Sequence, residues 1–203
     1  LPQQCSQILI ESRVLDGGDP NALANAYLAQ AKLLRRRGRT AEGTALSEKG
    51  IALRKGCVDE GRRELLPMLA EDYLNECAAL SSGGRARAAQ LMADKAVVIL
   101  DDAVNSGGRT DLVANLANAH VNAACVRANL RDFSTAAKHI DPAISIYQQL
   151  CDSGRERQSE NLAKALRMRQ QLARDARRQE ADKWAAKAMA ARQQGQVSDS
   201  LDL

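Results

Sequence analysis

The chain has 203 residues, is 45% hydrophobic but only 2% aromatic, and carries a formal net charge of +4. A core with so few rings must be packed from Leu, Ala, Val and Ile, which suits close helix–helix contact and argues against a sandwich or barrel. No run of about 18 apolar residues marks a membrane span, and five scattered cysteines without a CxxC or Cys/His cluster exclude a disulfide framework or zinc site and fit a reducing cytoplasm.

Taken in chain order, residues 6–18, "SQILIESRVLDGG", place Ile8, Ile10 and Leu15 on one face and close on Asp16 and Gly18. Asp19 and Pro20 then supply an N-cap and a first-turn proline. The helix they open begins "LANAYLAQAKLL" at Leu23, and the same pattern returns from Leu69, Leu116 and, weakly, Leu162, in steps of 46, 47 and 46 residues. These are A helices. A second block keeps that spacing: "KGIALRKGCVDEG" at 49–61, "KAVVILDDAVNSG" at 95–107 and "PAISIYQQLCDSG" at 142–154. Apolar residues seven apart share a helical face, and the closing Asp/Asn-x-Gly is a stop signal, so these are B helices. Residues 6–18 fit the B register too, which predicts that the chain opens on the B helix of a longer array.

Each unit therefore reads as helix–turn–helix, with A-to-B turns at "RRRGRT", "SSGGRA" and "NLRDF". One such pair cannot bury its apolar face alone, so neighbours must stack. The expected organisation is a B helix of a preceding repeat at 1–18, repeats at 19–61, 62–107 and 108–154, a long basic helix or a fourth hairpin at 155–194, and a flexible tail at 195–203. Pro142 falls inside the third B helix and predicts a kink or break near His139–Asp141. An uncovered repeat end would be an apolar edge for homodimerisation.

Leu23-Ala24 with Tyr27, and Leu69-Ala70 with Tyr73, resemble the first helix of the tetratricopeptide repeat, although that family's usual unit is 34 residues. The resemblance implies an all-α, right-handed helix-turn-helix solenoid whose A helices line a concave groove for extended peptides. On that face stand Asn25, Glu71, Asn75, Asn115, Asn118 and Asn122. Asn is a poor residue for helix interiors, so its repetition there asks for a reason, and its amide can hydrogen-bond a peptide backbone. The places of the family's carboxylate-clamp lysines hold Asn21 and Asp111, which argues against that ligand class.

No residue set points to catalysis, a metal or a cofactor. His120 takes the place of Tyr27 and Tyr73, and His139 that of Leu46 and Met92, so both read as packing residues. Cys151 takes the place of Val58 and Val104. Adjacent acids such as Asp101-Asp102 point about 100° apart on a helix and do not converge. Residues 155–194 hold 11 Lys/Arg against 5 Asp/Glu, whereas 1–154 hold 18 of each. The expected function is non-catalytic binding of another protein or peptide. The rivals are nucleic-acid or acidic-partner binding by the basic helix, and a regulatory segment of a larger enzyme.

Overall fold

The structure is a computed structural model; it describes the backbone over residues 18–201 and, apart from residue 156, the side chains as far as Arg192. Among the described residues there are seven α-helices and no strand: α1 Pro20–Arg36, α2 Thr40–Asp59, α3 Leu66–Ser82, α4 Ala86–Asn105, α5 Val113–Asn129, α6 Phe133–Asp152 and α7 Ser159–Leu201. They pack as sequence neighbours, with the pairs α1/α2, α3/α4 and α5/α6 closest and α7 laid on α6. None of these helices is long and apolar enough to cross a membrane. The expected B helix at 6–18 falls on residues outside those described, Gly18 apart.

Local chemistry accounts for the boundaries. Asp19 caps α1, its carboxylate accepting from the Asn21 N–H at 3.2 Å with Pro20 following. Asp132 caps α6 by accepting from the Thr135 N–H at 3.1 Å. The first two A-to-B turns carry Gly38 and Gly84 in the left-handed region, but the third places Arg131 there at φ 59°. A non-glycine side chain crowds its own carbonyl in that conformation. In the second B-to-A turn the left-handed residue is Gly108 rather than the aligned Gly107, so the extra residue of the 47-residue step lies between Asn105 and Gly108. Between α1 and α2, Gly43 and Gly50 permit close approach. A Cβ on Gly43 would lie 2.8 Å from the Arg35 side chain, and one on Gly50 2.8 Å from Leu28.

Two expectations need correction. The break at Pro142 does not occur: α6 runs unbroken from Phe133 to Asp152 with Pro142 inside it. Proline forfeits one backbone hydrogen bond, while Ala136, Ile140, Ala143 and Tyr147 bury the same helix face on both sides of it. At the other end, α7 begins at Ser159 after a short 3-10 turn and continues through Gly195 to Leu201. One glycine costs a helix only about 1 kcal/mol, too little by itself to end it.

The core follows the register. Leu69 and Tyr73 of α3 and Leu116 of α5 share a cluster with Ile51 of α2 and Ala96, Leu100 and Ala103 of α4. Phe133, Ile140 and Tyr147 of α6 meet Ala165 and Leu172 of α7. Small residues dominate: Ala89, Ala93, Ala96, Ala117, Ala119, Ala123 and Ala124 are fully buried. Alanine at these places lets backbones approach, which is how a core with few aromatic rings reaches interior packing density.

Candidate functional site

The six polar residues singled out on the A helices have different surroundings. Asn25 accepts a hydrogen bond from the Arg54 guanidinium, which also donates to Asn21 at 3.1 Å. Asn118 accepts from the Tyr147 hydroxyl at 2.5 Å. These two bonds are equivalent, because Arg54 and Tyr147 hold the same register position on their B helices. The Asn at this place ties the A helix to its own partner helix. Asn122 donates from Nδ2 to the Asn118 backbone carbonyl at 2.9 Å. Glu71 is exposed and Asn115 half-buried. Asn75 lines a cleft.

That cleft has a volume of about 510 Å³ and opens between the first two helix pairs. Leu28, Lys32, Arg35 and Arg36 come from α1, Thr40 and Ser47 from α2, and Asp72, Asn75, Ala79 and Ser82 from α3, with Gly83 beyond it. Ion pairs border it. Arg54, only 2% exposed, pairs with Asp72, and Arg35 pairs with Glu76, also 2% exposed. Burial outweighs the nearby guanidinium and pushes the Asp72 carboxyl up to about 6. Charge buried here is a cost that only close pairing offsets.

The register explains why a cleft forms at this place. Ser47 stands where α4 has Ala93 and α6 has Ile140, and Asp72 where α5 has Ala119 and α7 has Ala165. Ala79 and Gly83 stand where the next joint has Val126 and Leu130, both packed into its apolar cluster. Polar or smaller residues at the wedge positions leave the first joint open. Arg54 replaces the buried Leu100 and Tyr147, and Glu76 replaces the buried Ala123. Charged residues in an otherwise apolar register were the signal that sequence reasoning passed over.

The histidines lie in the third pair. Nδ1 of His120 and Nδ1 of His139 are 3.2 Å apart, with ring centroids 5.4 Å apart. One ring must donate and the other accept, so the contact needs at least one neutral imidazole. Burial lowers both, and with Arg127 and His120 close by, His139 is pushed down to about 4. Among the described residues no three His, Cys, Asp or Glu side chains form a group suited to a metal ion.

The last helix differs in exposure. Leu162, Ala165, Met168, Leu172 and Ala176 belong to an apolar cluster shared with α5 and α6, whereas residues 180–192 are exposed throughout. Trp184 is 67% exposed, with the Lys187 ammonium 5.5 Å from its ring. No known protein family matches the chain, and neither does any curated protein.

Proposed function

We propose that the chain is a non-catalytic scaffold that binds another protein or a peptide, working as a right-handed stack of helix pairs similar to the tetratricopeptide repeat. One observation carries the reading: the roughly 510 Å³ cleft between the first two pairs, with the Asn75 amide on its wall. A recess held by packed helices can take an extended segment at little ordering cost to itself. The test is a selection from a random displayed-peptide library, with a variant carrying Ala79→Val and Gly83→Leu as counter-target. These changes restore the wedge residues of the second joint and close the recess. Selected peptides are expected to bind the native chain and to lose affinity for the closed variant by about ten-fold or more. Equal binding to both, or no selected peptide at all, overturns the reading.

A second reading rests on the exposed end of α7, where Lys183, Trp184 and Lys187 offer charge and one ring to a single-stranded nucleic acid. Steeply salt-dependent binding of a single-stranded oligonucleotide, lost in Lys183→Glu/Lys187→Glu and retained in the closed-cleft variant, would favour it.

A further inference from the structure

Resting on the peptide-binding reading, we infer that the cleft selects an acidic segment, with at least two Asp or Glu carboxylates set against Lys32 and Arg36. The acids lining or bordering the cleft are already engaged, Asp72 by Arg54 and Glu76 by Arg35. Lys32 and Arg36 line the same wall, both exposed, and form no ion pair among the described residues. Of the remaining polar groups, the hydroxyls of Thr40 and Ser47 and the amide of Asn75 are able to donate, while the Ser82 hydroxyl already donates to the Ala78 carbonyl at 2.9 Å.

Two helix ends weigh against this surplus. The C-termini of α1 and α3 both lie at the cleft, and each carries roughly half a negative elementary charge. Two free cations exceed that sum by about one positive charge, so the cleft favours an anion. A partly enclosed setting also strengthens the attraction relative to bulk water.

The repeat supplies its own control. Lys32, Arg35 and Arg36 correspond to Ala78, Ser81 and Ser82 at the second joint and to Cys125, Ala128 and Asn129 at the third. Where the first joint has Ala79, the second is filled by the buried Val126, and at the third the buried Leu172 lines a smaller cleft of about 350 Å³ whose cations are Lys183 and Arg169, the latter paired with Asp141. Cationic residues and open space therefore coincide at the first joint and at the third, and the larger opening is the first, where Lys32 and Arg36 both form no ion pair among the described residues. A cation that served only to neutralise a helix end would have no reason to avoid the filled second joint, where the last turn of α3 carries none.

The probes are three fluorescein-labelled decapeptides alternating Gly with Glu, Gln or Lys, measured beside the library-selected peptides. The Glu peptide is expected to bind at least about ten-fold more tightly than the other two, and to weaken as salt rises. Lys32→Glu/Arg36→Glu should abolish that preference, while Lys183→Glu/Lys187→Glu leaves it unchanged. Both pairs are exposed, so circular dichroism should show each variant folded. Equal binding of the Glu and Gln peptides, or library peptides without acids that the closed-cleft variant rejects, overturns the acidic preference and leaves peptide binding standing. Dependence on Lys183 and Lys187 alone, or no peptide binding at all, overturns both.

Discussion

The first and second joints between helix pairs occupy the same register and solve the packing problem in opposite ways. At the second, Leu100, Ala103, Leu116 and Ala119 close an apolar seam, and Val126 packs against the cluster of Ala89, Ala93 and Ala123. Its buried cation, Arg127, is paired with Asp94 at 2.6 Å. At the first, Arg54, Asp72 and Glu76 take the places of Leu100, Ala119 and Ala123, and the helices enclose a cleft. A buried ion pair adds little net stability over an apolar seam of the same shape. The first joint therefore gives up cohesion for an opening that the second lacks.

The sharpest way to break the comparison is to remove one partner. Arg54→Leu leaves Asp72 buried without its cation and should cost about 3–5 kcal/mol in urea unfolding. Arg54→Leu with Asp72→Ala, which installs the second joint's residues, should recover most of that loss. A double variant as unstable as the single would mean that the pair supplies cohesion after all. Leu100→Ala in the second joint should cost about 2–5 kcal/mol, and no second change to a neighbouring charge should rescue it.

A smaller effect should separate the first joint from the third pair as pH falls. Asp72 is raised from 3.8 to about 6, so its contribution is present below about pH 4 and lost as pH rises through about 6. His139 is lowered from 6.5 to about 4, so its contribution is present above about pH 6.5 and lost as pH falls through about 4. Between these limits acidification should protect α2 and α3 and loosen α5 and α6. The ratio of amide-exchange protection between α2 and α6 measures this, and a parallel fall in both would count against it.

The smallest expected change concerns the B-helix starts. Asp132 caps α6, whereas the equivalent Arg39 and Arg85 make no side-chain cap. Asp132→Ala should cost about 1 kcal/mol, and Arg85→Asp should gain a similar or smaller amount, read as shifts in Tm.

Helix pairing was legible because apolar residues at fixed offsets leave few alternatives: Leu69, Tyr73 and Leu116 are all buried where the pattern puts them. The joints were harder to read. Asn25 and Asn118 stood out as a stripe, but their bonds run to Arg54 and Tyr147, 29 residues away in each case. A stripe shows which face a residue shares and leaves its partner open. Arg54 was visible in principle, as a cation where the other pairs have Leu100 and Tyr147. The meeting of Lys32, Arg36 and Asn75 was not, since it depends on how far apart α1 and α3 stand. Pro142 was overweighted because local propensity was set against too little of the buried face around it.

The unaccompanied end of α7 has an optical consequence. Trp184 is the only tryptophan in the chain, and it sits on the stretch that no other helix among the described residues covers. The three tyrosines, Tyr27, Tyr73 and Tyr147, are buried, one in each helix pair. Tryptophan emission should therefore be red-shifted and readily quenched by iodide in the native chain, and should change when something settles on α7. Unfolding of a helix pair should register in tyrosine emission instead. A ligand that enters the cleft should leave the tryptophan spectrum untouched, and one that coats the basic helix should not.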